Sequence, residues 1–113
     1  MPTIFKGNDK TYIVTRRTKT GEVIKSTPLQ MIFTVRTNFD ELDTVLQKEI
    51  GNGIEQNPDG SWSIKVDAKD TRNLKITDKK LVLICDVKIV NENGEETTIV
   101  KPQDFVVLPV VTN

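Results

Sequence analysis

The sequence predicts an all-β domain, a β-sandwich or a small barrel of roughly seven to eight strands with one short helical turn. Three observations predict it. Apolar residues recur at every second position in segment after segment, with no sustained period of 3.6. The apolar runs are short and rich in β-branched residues. Turn-forming residues separate them at intervals of roughly eight to fifteen residues.

Thr11 to Arg16 is the first short β-branched run. In Leu29 to Arg36, alternation places Leu29, Met31, Phe33 and Val35 on one face. Asn38 to Lys48 is ambiguous: Asn38-Phe39-Asp40-Glu41 resembles a capping box that leads into Leu42, Val45 and Leu46. A turn followed by a strand from Thr44 to Lys48 is the favoured alternative. Gly51-Asn52-Gly53 suggests a bend or bulge, because it lacks the Gly-Lys-Ser/Thr ending of a phosphate loop. Ser61 to Val66 alternates most cleanly, with Trp62, Ile64 and Val66 inward. Asp67 to Thr71 suits one helical turn, capped by Asp67 with Asp70 in its first turn. In Leu81 to Val90, Leu83, Cys85, Val87 and Ile89 share a face with Leu81. Asn93-Gly94 is a hairpin signal between Ile89-Val90 and the strand Thr97 to Val100. Phe105 to Val111 closes the chain, and Pro109 predicts an edge position for it, where a missing N–H costs nothing.

The 113 residues fit one domain, spanning 1–113, with an ordinary balance of 36% hydrophobic and 28% charged side chains. Sixteen basic and sixteen acidic residues cancel, and the basic ones are spread along the chain. Nucleic acid is therefore not an expected partner, since phosphate neutralisation demands a basic excess. No apolar run approaches the length of a membrane helix, and no membrane partner is expected. One cysteine allows no internal disulfide. With no apolar leader at the N-terminus, this predicts synthesis in a reducing cytoplasm.

The chemistry-bearing residues are few. There is no histidine, the commonest general base and metal ligand. Cys85 is in phase with Leu83 and Val87, so it is expected to be a small core hydrophobe. Asp40, Glu41 and Asp43 match no calcium-loop spacing. Glu92, Glu95 and Glu96 are expected at a solvated hairpin tip. Paired carboxylates for glycoside chemistry remain a minor alternative. No catalytic, cofactor or metal residue is predicted. Trp62 would stack on sugar if exposed, which is the basis of an alternative carbohydrate-binding reading, but its alternation predicts a core position.

The remaining signal is surplus apolar surface. Val82, Ile84 and Val90 lie opposite the core side of the long strand, and Val106, Leu108 and Val110 do so on the last. These six are the candidate interface. Strands apolar on both faces are either central in the sandwich or covered by another chain.

The order of the elements also carries a resemblance. It runs from Ile4-Phe5-Lys6-Gly7-Asn8-Asp9 through a hairpin at Thr20-Gly21-Glu22 to Phe33-Thr34-Val35-Arg36. Val45-Leu46-Gln47-Lys48 and Gly53-Ile54 follow, then Asp59-Gly60-Ser61-Trp62-Ser63-Ile64. Asp70-Thr71-Arg72-Asn73-Leu74, Cys85-Asp86-Val87 and Asn93-Gly94-Glu95 complete it. This order resembles the N-terminal domain of phage baseplate upper proteins, from phages and prophages of Gram-positive bacteria. The opening has Gly-Asn-Asp where a Gly-Asp is more usual. The resemblance implies an immunoglobulin-like antiparallel β-sandwich that is a tail structural protein, multimeric, without cofactor or catalysis. It implies other tail or baseplate subunits as partners, and a place in the virion tail after assembly in the host cytoplasm. Family members continue into a linker and further domains, whereas this sequence stops at Asn113.

Overall fold

The computed structural model describes residues 2–37 and 44–110. The possible capping box at Asn38, the acidic cluster Asp40, Glu41 and Asp43, and Val111 lie outside the described residues. The strands are β1 (Thr3–Phe5), β2 (Lys10–Val14), β3 (Gln30–Arg36), β4 (Thr44–Ile50), β5 (Gly53–Gln56) and β6 (Trp62–Val66). After the helix α1 (Ala68–Arg72) come β7 (Leu81–Val90) and β8 (Glu96–Leu108). The all-β class, with one short helix among the described residues, is what the sequence predicts.

The strands form one sheet in the order β1-β8-β7-β3-β4-β5-β6-β2, which rolls until it nearly closes into a barrel. Most pairings are antiparallel, but β1 runs parallel to β8, and β4 parallel to β5. The β4–β5 pairing joins Glu49 to Gly53 and Ile50 to Ile54 across a connection far too short for a parallel crossover. It is a corner, made where Gly51-Asn52-Gly53 turns the strand.

Rolling gives the sheet an inside. Met31, Phe33 and Val35 of β3 face Leu83, Cys85, Val87 and Ile89 of β7 across fixed registers, and all seven are buried. Trp62, Ile64 and Val66 of β6 and Phe105 and Val107 of β8 join the same cluster. Tyr12, Phe33 and Phe105 pack as a trio, with ring centroids 6.0 to 6.4 Å apart. Each such contact adds about 0.5–1.5 kcal/mol beyond area burial.

Three expectations are corrected. Leu29 does not share the core face of β3: it is 62% exposed, because the strand begins only at Gln30. The two closing strands are one thirteen-residue strand, β8. Its pairing with β7 shifts register between Cys85 and Val87, and Pro102 falls in the interval where no ladder N–H is needed. Pro109 follows the end of β8, whose last residues, Val106 to Leu108, are no edge, since β7 and β1 flank them.

The helix ties one end of the barrel together. Asp70 Oδ2 accepts the Asp67 N–H at 2.7 Å, Asp9 Oδ1 accepts the Ala68 N–H at 2.6 Å, and Thr71 Oγ1 accepts the Gly7 N–H at 2.8 Å. Lys48, in phase with Leu46 on β4, is buried, and its ammonium lies 2.9 Å from Asp70 Oδ2 and 3.7 Å from Asp67 Oδ2. Gly53 admits the lysine stem: with φ of +98°, a Cβ there would come within 2.6 Å of Lys48 Cδ.

Removing one partner of a buried ion pair leaves the other charge uncompensated. Lys48→Ala is expected to cost about 3 kcal/mol in urea denaturation, the lower end for a buried pair because Asp67 stays partly solvated. Lys48→Ala combined with Asp70→Asn is expected to cost less than the sum of the two single changes.

Candidate interaction surfaces

Two features of the rolled sheet are candidates for function: its outer face near β1, and the seam where closure fails.

The outer face gathers part of the candidate interface. Val82 is in register with Val106, and Phe5 with Leu108, so three adjacent strands present apolar side chains side by side. Phe5 is 50% exposed, Val82 40% and Val110 42%, while Ile84 and Leu108 are partly buried. Val106 is only 7% exposed. Ile84 stands between Arg36 and Asp104, at the polar margin of the patch. Val90 is not part of it: at the other end of β7, it pairs with Gln30 and Glu96. Phe5 escapes the sequence pattern because β1 is three residues long, too short for alternation to register. β8 itself lies between β7 and β1 in the sheet order.

The seam lies between β1 and β2, the two ends of the sheet order. Side chains bridge it instead of a main-chain ladder: Lys10 Nζ donates to the Thr3 carbonyl at 2.6 Å and Tyr12 Oη at 3.1 Å. Lys10 Nζ also sits 5.4 Å from the centre of the Tyr12 ring. Behind this bridge is a cavity of about 460 Å3 lined by Tyr12, Val14, Phe33, Cys85, Val87 and Val100, with Lys10 and Gln103 supplying polar groups. A second cavity of about 360 Å3 continues it, sharing Val14 and Val100 and reaching Arg16, Arg17, Ile24 and Ile99.

Burial favours the neutral forms of Cys85 and Tyr12. Desolvation, helped by the negative charge of Asp86, raises the Cys85 thiol from 9.0 to about 11. Desolvation likewise raises the Tyr12 phenol from 10.0 to about 12. Cys85 is buried, as its phase with Leu83 and Val87 predicts. Trp62 is 1% exposed, and its Nε1–H meets no acceptor among the described residues. Glu92, Glu95 and Glu96 are exposed around the hairpin turn. No group of three His, Cys, Asp or Glu side chains suited to a metal ion occurs among the described residues.

No protein family, curated protein or solved structure matches the chain.

The raised Cys85 value has a consequence for stability. Above pH 9.0 the unfolded thiol loses its proton while the folded one keeps it to about pH 11, so stability falls as pH rises through that window. Urea midpoints measured from pH 8 to 11 are expected to decline (the flanks of that window). Cys85→Val is expected to flatten part of the decline, and an identical slope in the variant would refute this origin.

Proposed function

We propose that the chain is a non-enzymatic assembly or attachment module acting through its β-sheet surfaces, with other protein subunits and further copies of itself as partners. The observation that supports this most is the outer patch, where Phe5 and Val82 remain half-exposed beside Leu108 and Val106. Contiguous exposed apolar surface on a folded domain marks a contact site for other chains. The ordered resemblance of the sequence supports a phage or prophage tail or baseplate as the setting, assembled in the bacterial cytoplasm and carried in the virion. No cofactor, membrane or nucleic acid enters this reading. The carbohydrate-binding alternative loses its best carrier, because the Trp62 indole lies in the core.

Size-exclusion chromatography with light scattering tests the proposal. Self-association, or co-elution with tail subunits, is expected at high concentration. Phe5→Glu with Val82→Glu is expected to abolish it with little change in Tm, since both side chains already meet solvent. A strict monomer without affinity for tail proteins would overturn the reading. Sugars are expected to leave Trp62 fluorescence unchanged, and quenching would favour the carbohydrate alternative.

A further inference from the structure

We propose that the open interval between β2 and the uncovered part of β8 takes up one extended polypeptide segment from a partner protein, apolar at alternate positions and acidic at its ends. The inference rests on the reading of the chain as a protein-binding module, and it assigns a second surface, distinct from the outer patch.

The argument begins with main-chain groups. β1 pairs with β8 only from Val106 to Leu108, so among the described residues the same edge of β8 meets no strand from Glu96 to Gln103. β2 pairs with β6 on its other side and, among the described residues, with no strand across the seam. Two unpaired edges therefore border one interval. Each offers the row of N–H and C=O groups that recruits another strand.

The side chains agree. Inward-facing Val87 and Ile89 of the paired strand β7 are 2% and 3% exposed. Their counterparts beside the interval, Tyr12, Val14, Ile99 and Val100, are only partly buried. The two cavities share Val14 and Val100 in their walls, and together they make up the channel, with linings that run from Thr3 to Arg17. A small apolar molecule would cover the side chains but leave both main-chain edges unpaired. An extended segment satisfies both.

Charge selects among segments. Lys10 stands at one end of the channel and Arg16 and Arg17 at the other. Their side chains donate to the carbonyls of Thr3, Ser26 and Gly21. Among the described residues no carboxylate lies within ion-pairing distance of them. Carboxylates at the segment's ends would meet these cations. A second copy's β2 would bring the same cations into the channel, and like charges facing across a strand pair are unfavourable.

The test uses the full chain and a synthetic peptide of about nine residues, valine alternating with threonine between terminal aspartates. At about 3.3 Å per residue it spans Lys10 to Arg17. Amide hydrogen exchange, resolved by residue, is expected to slow about tenfold or more across both β2 and residues 97–103 when the peptide is bound. Lys10→Glu with Arg17→Glu is expected to weaken binding about tenfold, and a lysine-ended peptide to restore it. Both side chains are exposed, so the double variant should fold. Unchanged exchange at both strands in millimolar peptide overturns the proposal. So does a response to dodecanoate without one to the peptide, which would make the channel a small-amphiphile pocket. Peptide binding that survives in a strictly monomeric protein would sink assembly through the outer patch and leave the channel standing. Self-association without peptide binding would sink the channel alone.

Discussion

Phe33, Val87 and Val100 lie side by side because β7 is paired along both of its edges, with β3 on one side and β8 on the other. A strand held this way cannot slip by one residue without turning Leu83, Cys85, Val87 and Ile89 outward and Asp86 and Lys88 inward. Burial of the four apolar residues, each no more than 3% exposed, fixes that register. The positions of Phe105 and Val107 follow from it on one side and those of Met31 and Val35 on the other. The rest of the sheet is hung from this three-stranded ladder, and its curl brings β6 and β2 round to face β8.

What the ladder does not supply is closure. The roll ends with β2 opposite an edge of β8 that three residues of β1 cover only in part. Natural sheets commonly protect such an edge with charge, and Lys10, Arg16 and Arg17 stand where that protection is needed. The bridge from Lys10 and Tyr12 to the Thr3 carbonyl gives the seam a partial latch at one end. Beyond Lys10 at that same end, α1, the buried Lys48–Asp70 pair and the Gly7–Thr71 hydrogen bond make a firmer plug, so the Arg16–Arg17 end is the open one.

Much of this was legible in residue patterns, and the limits have physical causes. The cores of β3, β6 and β7 follow strict alternation, so Trp62 and Cys85 could be placed inside without coordinates. The turn residues Asn93-Gly94 and the helical turn after Asp67 depend on local chemistry, which a sequence displays directly. β1 and β5 are three and four residues long, too short to show a period. Pro102 disguised the continuity of β8, because a proline inside a run normally argues against a strand. The parallel β1–β8 pairing joins residues far apart in the chain, and no local pattern encodes it or the open seam. For the same reason Phe5 could not be grouped with Val82 and Leu108 beforehand.

The parallel β1–β8 pairing also has a mechanical meaning. The two strands point the same way, so tension between the start of β1 and the end of β8 slides one along the other. The bonds from the Val106 N–H to the Pro2 carbonyl and from the Lys6 N–H to the Leu108 carbonyl, each 2.9 Å, then carry load together in shear. An antiparallel pair of terminal strands would peel open one bond at a time. Under pulling, the unfolding rate decides survival, and this arrangement makes the first rupture a collective event.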